Sequence, residues 1–124
     1  MEFKYFTEAE LSCSHCQTNG IHISFMKKIE ALREELGFPF IVTSGYRCPQ
    51  HPIEAKKQSY GAHSTGHAMD LAVQGENAYK LLDGALRAGF TGIGVSQKGD
   101  SRFIHLDNIK SSDRRPRPWV WSYE

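Results

Sequence analysis

His63 and Asp70 both carry metal-ligand side chains, and they stand seven positions apart in Gly61-Ala62-His63-Ser64-Thr65-Gly66-His67-Ala68-Met69-Asp70. Fully extended, seven residues span roughly 23 Å, whereas two ligands of one Zn²⁺ each lie ~2.0–2.2 Å from it. If both hold one ion, the backbone must reverse near Gly66, the residue between them that tolerates positive φ. Beyond that turn, alternation places Ala68, Asp70 and Ala72 on one face of a strand and Met69, Leu71 and Val73 on the other. A third ligand type, His105, lies in Arg102-Phe103-Ile104-His105-Leu106-Asp107. There the same alternation puts Ile104 and Leu106 on one face and Phe103, His105 and Asp107 on the opposite one. Two imidazoles and a carboxylate suit Zn²⁺, and three protein ligands leave a fourth position for water, as catalytic zinc sites do. Zinc lowers the pKa of that water to ~7 and polarises a carbonyl, so such a triad points to hydrolysis. Each residue alone fits a buried, hydrogen-bonded polar side chain equally well. The coincidence of all three carries the metal reading.

Three cysteines offer a second arrangement. Cys13 and Cys16 form a CxxC pair, and Cys48 sits three residues before His51. Together they read as a Cys₃His set for a structural Zn²⁺ that would tie an N-terminal loop to the loop after residue 47. The same residues fit three reduced thiols, or one disulfide formed on oxidation. An odd cysteine count does not suggest a secreted disulfide framework.

The elements that must position these side chains are legible from periodicity and punctuation. Thr7-Glu8-Ala9-Glu10 has the capping-box pattern and predicts a short helix through Leu11. From Ser24, the residues Met26, Ile29, Leu32, Arg33 and Leu36 form a helical stripe beside a Lys/Glu face, stopped by Gly37 and Pro39. Phe40-Ile41-Val42-Thr43 reads as a buried strand, followed by a long polar stretch to Gly61. The strand carrying Asp70 comes next, then a helix from Gly75 to Ala88 with Ala78, Leu81, Leu82, Ala85 and Leu86 on one face. Phe90 to Val95 forms a further strand, whose glycines suggest a bulge or a close backbone approach. Lys98-Gly99-Asp100 turns the chain into the strand of His105. The run Arg114-Arg115-Pro116-Arg117 reads as a solvated tail, and Trp119-Val120-Trp121 as an aromatic segment packing back on the sheet. Helices are not interleaved regularly with strands, so the pattern predicts an α+β domain with a small antiparallel sheet.

Composition bounds the function. The chain has 124 residues, enough for one domain spanning 1–124, with 40% hydrophobic and 23% charged residues and a formal net charge of +1. That balance gives no electrostatic basis for capturing nucleic acid or a membrane surface. No run approaches the ~20 apolar residues of a membrane span. The N-terminal Met1-Glu2-Phe3-Lys4-Tyr5 has no apolar signal-peptide core, so synthesis without a secretory signal is expected.

The motifs together resemble a known family. His63-Ser64-Thr65-Gly66-His67-Ala68-Met69-Asp70 matches the HxxGxAxD signature of the M15 peptidases, the D-alanyl-D-alanine carboxypeptidase and murein endopeptidase group. Ser44-Gly45-Tyr46-Arg47-Cys48-Pro49-Gln50-His51 is similar to that group's SGYRCPxHN segment. Gly92-Ile93-Gly94-Val95 and Phe103-Ile104-His105-Leu106-Asp107 resemble its GxGxY … FxHxD ending. The opening Phe6 to Cys13 and the closing Arg-Pro-Arg-Pro-Trp119 look like the short, single-domain members found in phage and prophage.

The resemblance implies the hedgehog/DD-peptidase zinc fold, with His63, Asp70 and His105 as ligands and a peptidoglycan stem peptide as substrate. It also implies a role for Arg47, which would stabilise the oxyanion or hold a peptide carboxylate. A monomer is expected, acting on the cell wall after holin-type release or delivery in a virion. The chain departs from the family pattern in three places. Arg102 stands where many active relatives carry the carboxylate that acts as general base, Gly61 where a serine is usual, and Pro52 where an asparagine is usual. The substitutes for the base are Asp107 and Asp100; Asp107 reads equally as a partner orienting a ligand histidine. The rival to a peptidase is a zinc-binding module of the same fold that recognises cell wall or builds a phage particle. A zinc-stabilised interaction domain, with the Cys/His cluster as its important metal, is a third reading.

Overall fold

The computed structural model describes residues 4–12, 20–46 and 62–123. Helix α1 is one turn, Glu8–Leu11, and α2 spans Ile23–Leu36. In α2 the side chains of Phe25, Met26, Ile29 and Leu32 are buried, a stripe at helical spacing that faces the core. The periodic reading missed Phe25, which widens that stripe. Gly37 ends the helix in the left-handed conformation, and its N–H donates to the Arg33 carbonyl. Helix α3, Gly75–Ala88, buries Ala78, Leu81 and Ala85. It lies against α2 at Gly84, where even a methyl group would come within 2.7 Å of Leu32 Cδ1.

Five strands follow the order β1-β2-β4-β3-β5: β1 Ile41–Ser44, β2 Ala68–Ala72, β3 Gly92–Ser96, β4 Phe103–Asp107 and β5 Trp119–Ser122. All neighbours are antiparallel except β3 and β5, which are parallel. This is the predicted α+β class. Met69, Leu71, Ile93, Ile104 and Leu106 join the buried side chains of both long helices in one apolar cluster. The alternation read for β2 and β4 therefore holds: one face is core, the other carries the polar side chains. No described helix is long and apolar enough to cross a membrane.

Two expectations are corrected. The first concerns Phe40 to Thr43, read as a buried strand. Strand β1 is instead an edge strand with alternate residues exposed, Ile41 to 60%. Phe40, just before it, is the buried member. An apolar, β-branched run signals a strand, but its place in the sheet depends on pairing that local composition does not encode. The second concerns the C-terminus. The aromatic segment does pack back, as the strand β5. Arg117, however, is not solvated: its side chain is 6% exposed and paired with a carboxylate that is fully buried.

Candidate metal centre

The register of the sheet sets one row of residues side by side: Ser44, Asp70, His105, Gly94 and Trp121 occupy neighbouring positions on β1, β2, β4, β3 and β5. Asp70 and His105 thus face each other across a strand pair, on the side away from the apolar cluster. His63 comes from a 3₁₀ turn, Ala62–Thr65, that precedes β2. The reversal between His63 and Asp70 falls at Gly66, with φ +79°. Any side chain there would collide with the Gly20 carbonyl, and the Gly66 carbonyl accepts the His22 N–H at 2.8 Å, pinning the turn to the start of α2.

These elements bring His63, Asp70 and His105 together. His63 Nε2 lies 3.3 Å and His105 Nδ1 3.0 Å from the same oxygen, Asp70 Oδ1. The three donor atoms fall within 4.8 Å of one another. Ligands held ~2.0–2.2 Å from a tetrahedral ion are themselves roughly 3.3 Å apart, so the spacing suits zinc.

The outer nitrogens of both rings decide what the inner ones offer. The Gly45 carbonyl can only accept, so His63 Nδ1–H donates to it at 2.9 Å. His105 Nε2–H likewise donates to Asp107 Oδ2 at 2.8 Å. In the neutral rings, His63 Nε2 and His105 Nδ1 are then lone pairs aimed at a carboxylate oxygen. Asp70 Oδ1 can only accept as well, so it either takes an N–H from a protonated ring or, with both rings neutral, shares a cation with their lone pairs. The electrostatics agree. Burial disfavours charge on His105, yet the bonds to Asp107 and Asp70 outweigh it and raise the imidazole pKa. Burial also pushes Asp70 up, but hydrogen bonds to His105 and His63 hold it well below the usual carboxylate range. The site favours positive charge at its centre, supplied by a proton or by a metal ion.

Asp107, two residues along β4 from His105, is fully buried. Its oxygens accept from His105, from Arg117 Nε and Nη2 at 2.9 and 2.7 Å, and from the Ile109 N–H at 3.3 Å. Burial raises its pKa, and the His105 and Arg117 bonds more than reverse that, to about 2. Gly92 lies directly across from it, and a side chain there would overlap the carboxylate. Asp100 is elsewhere, exposed in the β3–β4 turn. With Arg102, Gln74 and Asn77 it lines a cavity of about 410 Å³ that also touches Ala72, two residues beyond Asp70 on β2. His67, the other histidine of the motif, is not part of the triad: its Nδ1–H donates to Asn108 Oδ1 at 3.0 Å and its ring stacks on His22.

Arg47 and the four residues of the second proposed zinc set, Cys13, Cys16, Cys48 and His51, lie outside the described residues. Sequence reasoning missed Arg117 and Trp121. Trp121 packs beside His105 in a tilted arrangement, with ring centroids 5.1 Å apart. Gly94 makes room for it, since a methyl there would come within 2.5 Å of the indole nitrogen. The Gly-x-Gly of β3 was the available signal, because paired small residues on one strand face mark something bulky above them.

Fold and site together define an α+β protein that can hold a metal ion between two imidazoles and a carboxylate. A family model described as Peptidase M15 matches residues 4–107, and the chain belongs to that family. The M15 family is zinc-dependent, and the match takes in all three triad residues. A comparison with curated proteins finds no match.

Proposed function

We propose that this chain is a zinc metallopeptidase that hydrolyses a D-amino-acid-containing bond in the stem peptide or cross-link of bacterial peptidoglycan, as a D,D-carboxypeptidase or endopeptidase. The observation that carries the proposal is the convergence of His63 Nε2, Asp70 Oδ1 and His105 Nδ1, with both outer ring protons committed elsewhere. In this reading His63, Asp70 and His105 hold the ion. Bound zinc supplies a Lewis acid for the scissile carbonyl and makes a water acidic enough to attack it near neutral pH. Arg47 stabilises the oxyanion or holds a peptide carboxylate. Of the two carboxylates available to move the proton, Asp107 is sealed from solvent and bonded to four donors. In this reading the proton falls to Asp100, which is exposed in the β3–β4 turn and lines the cavity that reaches Ala72, two residues along β2 from Asp70. The protein acts as a monomer on the wall, reached after holin-type release or within a virion.

A second reading keeps the same zinc site in a non-hydrolytic module that recognises cell wall or builds a phage particle. Arg102 at the position of the usual base, together with the full engagement of Asp107, favours it. Metal analysis of the purified chain combined with a digest of isolated murein separates the two. One equivalent of zinc with new free amines or released D-alanine, both abolished in His63→Ala, supports the peptidase. Bound zinc without cleavage across pH 6–9 overturns it in favour of the module. In the active enzyme, Asp100→Asn is expected to lower kcat by about 10²–10⁴ with zinc retained, the range of a lost acid–base group.

A further inference from the structure

The residues that bond Asp107 from outside belong to a segment the family match does not include. The match ends at residue 107, and the chain then loops back to lay β5 parallel to β3. Just before β5, Arg117 meets the buried Asp107 through two parallel N–H···O bonds. A carboxylate offers about four lone-pair sites. Arg117 takes two, the Ile109 N–H a third and His105 Nε2–H the fourth. A carboxylate filled in this way cannot rotate without breaking a bond, so it accepts the His105 proton in one plane only. The ring plane is held from the side as well. The Trp121 ring lies tilted against His105, at 49° between the ring planes, and the Arg117 guanidinium carbon lies 5.2 Å from the centre of the same indole.

We propose that Arg117 is a positioning residue for the metal centre: acting through Asp107, it fixes the tautomer and orientation of His105 and so sets how tightly the triad holds zinc. This rests on the zinc reading above. The chemistry is one of tautomer control. A neutral imidazole can place its proton on either ring nitrogen, and a proton on Nδ1 would block the lone pair the ion needs. A rigid acceptor at Nε2 keeps the proton there. An orienting partner of this kind is worth 10–100-fold in metal affinity. A guanidinium suits the task better than an ammonium, because its planar fork engages both carboxylate oxygens and leaves the outward lone pair of Oδ2 for the histidine.

The test compares the full-length protein with Arg117→Lys, Arg117→Gln and the double variant Asp107→Asn/Arg117→Gln, which leaves no orphaned buried charge. Zinc affinity is measured by competition with a chromophoric chelator, and the His105 ring nitrogens are followed by NMR in the zinc-loaded proteins. The expected result is at least a ten-fold loss of zinc affinity in both glutamine variants and a smaller loss in Arg117→Lys. The exchange-protected Nε2–H signal of His105 should be lost in the glutamine variants, while far-UV circular dichroism stays unchanged. A purely structural Arg117 would lower stability and leave the His105 signal and zinc affinity of the folded variants alone, which overturns the proposal. If the glutamine variants do not fold, Arg117→Lys decides, and an unchanged affinity with an unchanged His105 signal overturns it. A wild-type chain that binds no zinc overturns the metal reading itself and this proposal with it, an outcome distinct from zinc bound equally by all variants.

Discussion

Asp70 and Gly92 show how differently single residues serve one centre. Asp70 Oδ1 is the atom both histidines approach, so Asp70→Asn replaces the carboxylate with a neutral amide and can turn an N–H toward the imidazole lone pairs. Loss of zinc binding with a folded apo-protein is expected, read by metal analysis after dialysis. Gly92 binds nothing, yet its missing side chain is the space the Asp107 carboxylate occupies. Gly92→Ala forces that carboxylate off its four donors or bends β3. Overpacking of this kind costs about 1–3 kcal/mol, so a lower urea midpoint is expected together with weaker zinc binding. A change in stability alone would mean that Asp107 keeps its hold on His105 after the shift.

At the scale of elements, the two faces of the sheet carry separate duties, and variants on each should behave differently. Leu81 of α3 is fully buried against the apolar cluster, so Leu81→Ala should cost about 2–5 kcal/mol of stability and leave zinc stoichiometry and affinity intact. The hinge between the 3₁₀ turn and β2 couples both properties. Gly66 has positive φ and its carbonyl holds the start of α2, so Gly66→Ala meets both backbone strain and the Gly20 carbonyl. A destabilisation above about 1 kcal/mol is expected, with zinc affinity reduced because His63 no longer reaches Asp70. Denaturant melts and chelator competition on the two variants distinguish the core face from the hinge.

For the whole molecule, the centre joins strands that are distant in sequence. His63 is anchored to the end of β1 through Gly45, Asp70 sits on β2, His105 on β4, and Arg117 and Trp121 arrive with β5. An ion at their meeting point binds the folded state alone, so zinc at a hundred times its dissociation constant should add about 2.7 kcal/mol. Titrating zinc into chelator-treated protein is therefore expected to raise the melting temperature by several degrees. The rise should vanish in Asp70→Asn. An equal rise in that variant would place the stabilising metal elsewhere.

The sequence by itself determined what is local. Helical stripes with glycine stops, strand alternation and the glycine between His63 and Asp70 all act over a few residues, so both long helices, the faces of β2 and β4 and the three candidate ligands could be read from it. Sequence alone left the role of Asp107 open, as base or as orienting partner. It also made β1 a buried strand and Arg117 part of a solvated tail. Those points turn on pairing across the fold, and no local pattern records it. Asp107 and Arg117 are ten residues apart, with a turn and an irregular segment between them; only the docking of β5 on β3 puts the guanidinium against the carboxylate. The tertiary structure decided the row Ser44–Asp70–His105–Gly94–Trp121, because strand order and register set which side chains meet, and with it which nitrogen of each histidine faces the Asp70 carboxylate.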